Sequence, residues 1–192
     1  MDINQLTLND FDYDLPENRI AAHPLEKRDQ SKLLVYRQGA ITHQKFTDLP
    51  DQLPNDALLI FNDTRVIPAR ILVYKETGAK IEVFLLSPHE PSELEQAMQV
   101  KNHAVWQCMV GNKKRWAEGE TLIVNLPNKI NVILTWENHA DNLVNIRWNG
   151  DVPFVDLLEL WGQMPLPPYI KRDVQEADKS RYQTVYAIFK GR

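Results

Sequence analysis

The sequence predicts a multi-domain chain of mixed α and β structure, a partial α/β domain interrupted by an inserted small β-barrel. Three observations carry this. Residues 57–61, Ala57-Leu58-Leu59-Ile60-Phe61, form an unbroken apolar run bounded by turn-forming residues, the pattern of a strand covered on both faces. From residue 70 to about 151 the texture changes to six short β-like segments punctuated by Gly78, Gly119 and Asn149-Gly150, with no long helical period, which suggests a compact barrel. From Val152 the helical period returns in Pro153-Phe154-Val155-Asp156-Leu157-Leu158-Glu159-Leu160-Trp161. The organisation read from this is residues 1–69 as the first part of the α/β domain, 70–151 as the barrel, and 152–192 as the return into the first domain, with its remainder missing.

Each element has its own signal. Residues 15–22 place Pro16 near a helix start and apolar side chains at three-to-four spacing, a short helix. Residues 31–36 read as a strand, Gln38-Gly39 as a turn and Ala40 onward as the hairpin partner. Residues 46–53 suggest a second short helix. The barrel strands are expected at 69–74, 80–86, 105–110, 121–125, 130–136 and 142–148. Residues 88–99 are a polar, Glu-rich excursion readable as a loop or a short exposed helix. Gly162 stops the helix at 153–161.

Composition narrows the classes. At 192 residues and 43% hydrophobic, the chain can bury one large core or two small ones. The single cysteine, Cys108, excludes a disulfide framework and a multi-thiolate zinc site, and its place in an apolar strand reads as an inert packed thiol. No apolar stretch approaches the roughly twenty residues that span a bilayer, and Met1-Asp2-Ile3-Asn4-Gln5 lacks the basic-then-apolar order of a signal peptide, so a cytoplasmic protein with no membrane is expected. A formal charge of −4 gives no global attraction for a polyanion, so RNA binding would need a local basic patch. The five histidines are scattered without metal-ligand spacing, which predicts no metal, and no Gly-x-Gly-x-x-Gly phosphate loop is present.

Two dense segments stand out, Asn62-Asp63-Thr64-Arg65-Val66-Ile67-Pro68-Ala69-Arg70 and Pro165-Leu166-Pro167-Pro168-Tyr169-Ile170-Lys171-Arg172, the second followed by Arg181-Tyr182-Gln183-Thr184-Val185-Tyr186-Ala187. Both mix prolines of fixed φ with amide, hydroxyl, phenol and guanidinium groups, too polar for core. Asn62, Asp63, Thr64 and Arg65 leave the end of the expected strand at 57–61, the edge where open α/β sheets bind ligands; capping of the next turn by Asn62 and Asp63 is the competing reading. Pro167-Pro168 presents Tyr169 with little conformational entropy left to lose, as ligand contact or as a packed corner. If extended, Tyr182, Thr184 and Tyr186 share one face, either to stack a purine or to half-bury an edge strand. Lys113-Lys114-Arg115-Trp116 is the strongest basic cluster with a neighbouring aromatic, either a phosphate-and-base contact or a charged hairpin tip.

These segments, together with Asp12-Tyr13-Asp14-Leu15-Pro16, Arg28-Asp29-Gln30-Ser31-Lys32-Leu33-Leu34, His43 with Phe46 and Asp48-Leu49, and Thr77-Gly78-Ala79-Lys80-Ile81-Glu82, resemble the S-adenosylmethionine:tRNA ribosyltransferase-isomerase family of queuosine biosynthesis, in consistent order from about Phe11 to Gly191. In that family the Tyr182 segment leads into a small-residue run and a long further region, so the chain is expected to correspond to the N-terminal half, with activity of these residues alone left open. The resemblance implies a β-barrel inserted into an α/β domain. It also implies transfer and isomerisation of the ribosyl part of S-adenosylmethionine, as co-substrate, onto 7-aminomethyl-7-deazaguanine at the tRNA wobble position, giving epoxyqueuosine-tRNA, adenine and methionine, by a monomer. Under that reading Asp63, Tyr169 and Tyr182 are the catalytic candidates. Asn62, Thr64, Arg65, Arg172, Arg181, Gln183 and Thr184 contact S-adenosylmethionine or the modified nucleotide, and Lys113, Lys114, Arg115 and Trp116 contact tRNA. A noncatalytic RNA-binding barrel and an inactive fragment are the alternatives.

Overall fold

The computed structural model describes residues 5–167 and 169–187, which fall into two compact units, Met1–Leu59 with Pro167–Asp173 and Ile60–Leu166 with Val174–Arg192. In the first unit, β1 (Lys32–Arg37) pairs antiparallel with β2 (Ala40–Lys45), from Lys32 opposite Lys45 to Arg37 opposite Ala40. Gln38 and Gly39, at φ 48° and 88°, supply the two positive dihedrals that a two-residue turn between right-twisted strands requires. The expected helix at 46–53 is a 3₁₀ stretch, Phe46–Gln52, with Asp48 Oδ2 accepting from the Lys45 amide at 3.0 Å. The expected helix at 15–22 shrinks to one 3₁₀ turn, Glu17–Arg19, between extended Pro16 and Ile20. It buries no side chain, and so short a helix holds only when an apolar face is packed.

The second unit is built on six strands: β3 (Arg70–Tyr74), β4 (Lys80–Glu90), β5 (His103–Gly111), β6 (Thr121–Leu126), β7 (Ile130–Asn138) and β8 (Leu143–Trp148). All six lie where alternation in the sequence puts them. They form one antiparallel sheet of order β3-β4-β5-β8-β7-β6, curled into a nearly closed barrel. Register shifts in β4 between Leu85 and Glu90, and in β7 between Trp136 and Asn138, are the bulges that let an antiparallel sheet curl. The edges β3 and β6 are joined by side chains: Lys75 Nζ, just past β3, meets Glu120 Oε1 just before β6 at 2.5 Å. Alternate residues point inward, Ile71 and Val73, Ile81, Val83 and Leu85, Trp106 and Cys108, Val132 and Leu134, Val144 and Ile146.

The excursion at 88–99 does contain a short helix, largely exposed but not wholly so. β4 continues to Glu90 and α1 (Leu94–Gln99) buries Ala97 and Met98 in the same core. α2 (Phe154–Trp161) seals the interior, with Phe154, Leu157 and Leu158 fully buried and the Phe154 ring stacked on Trp106 at 5.4 Å and tilted on Trp148 at 5.5 Å. Each such side chain contributes about 1.5–3 kcal/mol. Cys108 is buried and its thiol pKa is pushed far up by burial, which makes it inert.

One expectation gives way. Residues 57–61 pair with no strand among the described residues, and Leu58 and Ile60 are 85% and 87% exposed. A strand covered on both faces needs ladder partners on both sides, and the described residues offer this run none. No helix among the described residues is long and apolar enough to cross a membrane.

Candidate functional site

The segment that leads into β3 is braced from several sides within the second unit. Asn62 Oδ1 accepts from the Thr64 amide at 2.8 Å and from Thr64 Oγ1 at 2.6 Å, an Asx turn that fixes the corner Asn62-Asp63-Thr64. Two residues on, the Gln183 side chain acts as a surrogate strand: its Oε1 accepts from the Val66 amide at 2.8 Å and its Nε2 donates to the Val66 carbonyl at 2.7 Å. Arg65 Nη2 lies 3.5 Å from Glu159 Oε1 on α2. Arg70 and Gln163 exchange both backbone hydrogen bonds, at 3.3 and 2.7 Å. The Phe61 and Tyr186 rings pack 4.3 Å apart.

Gly162 lets the chains come this close. Its φ of −69° is open to any residue, so it is not the left-handed cap that a glycine after a helix suggests. A Cβ there would sit 2.0 Å from the Pro68 carbonyl oxygen and 2.8 Å from that of Leu158. Gly162 ends α2, as the sequence reading has it, its amide donating to the Leu158 carbonyl, and its close packing against Pro68 also holds the 62–68 corner to the helix.

Of the sequence-distant candidates, Arg65 and Gln183 line one small cavity, and Gln183 clamps the neighbouring Val66. The expected strand at 182–186 is absent. α3 (Asp178–Arg181) ends at Tyr182, at φ −95° and ψ 10°, and the chain continues in turns with the Tyr186 amide donating to Thr184 Oγ1 at 3.3 Å. Buried Asp178 secures the approach, its Oδ2 accepting from the Gln175 amide at 2.7 Å. Thus Tyr182, Thr184 and Tyr186 do not share a pleated face. The cavity lined by Arg65, Val66, Glu159, Lys179 and Gln183 is only about 40 Å³, room for a few waters, so the corner is a stiff surface and not by itself a nucleoside pocket.

Tyr169 and Arg172 belong to the first unit, and Pro168 lies outside the described residues. The Ile170 amide donates to the Pro167 carbonyl at 2.9 Å, and Tyr169 is exposed. Arg172 Nε donates to the Ala22 carbonyl at 2.7 Å, and Lys171 pairs with Glu17, holding that carboxyl below its usual range first through the hydrogen bond and then through charge. A cavity of about 350 Å³ opens here, lined by Leu15, Glu17, Ile20, Ala22, Tyr169, Ile170 and Lys171. The sequence reading singled out Tyr169 alone of this set. The Asp12–Pro16 motif and the Pro-Pro-Tyr corner were the available signals.

The basic cluster occupies the turn between β5 and β6, with Lys113, Lys114 and Arg115 exposed; Lys113 Nζ donates to Asn142 Oδ1 at 2.9 Å and lies 5.8 Å from the centre of the Trp136 ring. Trp116 departs from expectation. It is 1% exposed, packs on Trp136 at 5.4 Å and donates its indole N–H to the Glu120 carbonyl at 2.9 Å. Its ring is core and has no face to offer a base. Among the described residues no three His, Cys, Asp or Glu side chains gather as metal ligands.

Comparison with known proteins places the chain. A family model described as "Queuosine biosynthesis protein" matches residues 8–191. Proteins named S-adenosylmethionine:tRNA ribosyltransferase-isomerase are similar to it: one from Desulfitobacterium hafniense is 39% identical over 188 residues, covering 95% of this chain and 50% of the relative. One from Chloroherpeton thalassium is 40% identical over 190 residues, 97% and 51%. One from Syntrophus aciditrophicus is 36% identical over 196 residues, 95% and 53%. The chain spans about half the length of the curated relatives it matches. The match over nearly the whole chain leads to one conclusion: the chain belongs to the queuosine biosynthesis protein family.

Proposed function

We propose that this chain supplies half of an S-adenosylmethionine:tRNA ribosyltransferase-isomerase, which moves the ribosyl moiety of S-adenosylmethionine onto the 7-aminomethyl-7-deazaguanine at the tRNA wobble position and releases adenine and methionine. The match over residues 8–191 carries the reading. In this reading, residues 1–69 and 152–192 are parts of one α/β domain into which the barrel at 70–151 is inserted, and the enzyme works as a monomer in the cytoplasm.

The chemistry sets two demands. The sulfonium makes the adjacent ribose carbon acidic, so a base must take its proton, and adenine must leave with a proton supplied. Asp63 is our base, carried on the corner that the Asn62–Thr64 turn and Gln183 make rigid; rigidity matters because a misplacement of about 1 Å can cost about 100-fold in rate. Thr64 and Asn62 hold the ribose. Tyr182 and Tyr169 stack on or protonate adenine, while Arg65, Arg172, Arg181 and Thr184 meet carboxylate or phosphate oxygens. The modified base must leave the anticodon stack to reach them. Lys113, Lys114 and Arg115 serve as phosphate contacts.

Calorimetric titration tests the assignment. Saturable S-adenosylmethionine binding is expected, weakened by Gln183→Leu; a chain that binds tRNA in a salt-dependent way and shows no heat with S-adenosylmethionine would instead be an RNA-binding module.

A further inference from the structure

Within the second unit, two connections meet at one end of the barrel. The β3–β4 turn carries Tyr74, Lys75 and Lys80, and the β5–β6 turn carries Lys113, Lys114 and Arg115. They are laced together: Lys75 Nζ donates to the Arg115 carbonyl at 2.9 Å, and Asn112 Nδ2 donates to the Lys80 carbonyl at 2.8 Å. Five cations thus share one surface of a chain whose net charge is −4. Acids lie there too: Glu120 is bound by Lys75, Glu118 lies 3.7 Å from His139, Glu76 lines the neighbouring cavity, and Asp141 adjoins the Asn142 that Lys113 holds. Beside the turns a cavity of about 320 Å³ opens at the seam of β3 and β6, its charged wall formed by Lys75, Glu76 and Glu120, with Tyr74 in the wall and 64% exposed. Tyr74 stands opposite Lys80 in the ladder, and both side chains are exposed on this end of the barrel.

Resting on the proposed function, we infer that this barrel end is the tRNA-docking surface, with Tyr74 stacking an unpaired base and Lys80, Lys113, Lys114 and Arg115 meeting the flanking phosphates. The chemistry is that of single-stranded RNA readers, cations along the backbone and an exposed ring for a base. Tyr74 takes the part that adjacency in sequence suggested for Trp116. An acidic polypeptide would satisfy the cations but leave Tyr74 unused.

Fluorescence anisotropy with an unmodified tRNA transcript, from about 50 to 200 mM salt, tests this on the chain as it stands. Tyr74→Leu should weaken binding about tenfold with the salt slope unchanged, and Tyr74→Phe should restore it. Lys80→Ala and Lys114→Ala should each reduce the slope of log K against log salt by about 0.7–0.9. Lys101→Ala, at the other end of β5 and paired with Asp151, should change nothing. Equal tRNA binding by wild type, Tyr74→Leu and Lys80→Ala, or tighter binding of poly-glutamate than of tRNA, overturns the surface. Calorimetry with S-adenosylmethionine on the same samples separates the two claims: insensitive tRNA binding with intact S-adenosylmethionine binding sinks only this surface, whereas binding of neither ligand by wild type sinks the functional reading with it.

Discussion

Replacing Gly162 by alanine tests the bracing of the 62–68 corner, because the consequence follows from two distances. The backbone at 162 is already in a conformation alanine adopts freely, so no dihedral strain enters. All of the cost is steric: the new methyl would lie 2.0 Å from the Pro68 oxygen, where carbon–oxygen contacts of this kind run about 3.3–3.6 Å, so more than 1 Å must open between the corner and α2. The blocking atoms are backbone on both sides, so no side chain can swing away. Overpacking costs about 1–3 kcal/mol when a core can adjust. We expect about 3 kcal/mol here, a fall in Tm of about 6–12 °C for a chain of this size. Gly119→Ala is the control. Nothing lies within 4 Å of its added carbon, and only its φ of 75° penalises it, by about 1–2 kcal/mol. Thermal unfolding followed by circular dichroism reads both. A Gly162→Ala protein within about 2 °C of wild type, or one less affected than Gly119→Ala, refutes the close approach and the rigid corner that depends on it.

Two further outcomes are checked in the same way. Arg70 grips Glu82 through Nε and Nη2 at 2.6 and 3.1 Å, and the guanidinium's hydrogen bonds, acting against desolvation, hold that carboxyl below its ordinary range. A depressed pKa stabilises the fold above the unfolded carboxylate value of about 4.3 and ceases to do so as pH falls through the folded value. Glu82→Gln should therefore cost about 1 kcal/mol at pH 7, after allowance for partial exposure of the pair, and that difference from wild type should shrink in denaturant titrations as pH falls below the unfolded carboxylate value of about 4.3; a gap constant with pH would contradict the pairing. Trp116→Ala should lose about 3–5 kcal/mol, while Trp116→Phe keeps tRNA affinity within about twofold despite losing the bond to Glu120; a selective loss of tRNA binding in a stable Trp116→Phe protein would return the ring to the surface.

The barrel was legible because its strands alternate: Ile71 and Val73, or Val132 and Leu134, state their own inward face two residues at a time. Elements that depend on partners were not. Residues 57–61 read as a buried strand from apolarity alone, yet a strand exists only with ladders beside it. The 182–186 segment alternates in character, but the helical turn before it redirects the chain at Tyr182. Trp116 adjoins three cations in sequence while its side chain turns into the barrel, so the exposed aromatic of that surface is Tyr74, distant in sequence and invisible to local composition. The candidate motifs were singled out by their constrained polar chemistry. What sequence withheld was their mutual geometry, in which Gln183 is the clamp on Val66 and Gly162 the gap that lets Pro68 approach.

Adenine release from S-adenosylmethionine with precursor tRNA, measured for this chain and for a form extended to the length of its relatives, tests the central claim most directly. The extended enzyme should release adenine, and Asp63→Asn should slow it at least about 100-fold with substrate affinity little changed. Near-normal turnover in that variant would remove the Asn62–Arg65 corner from the chemistry.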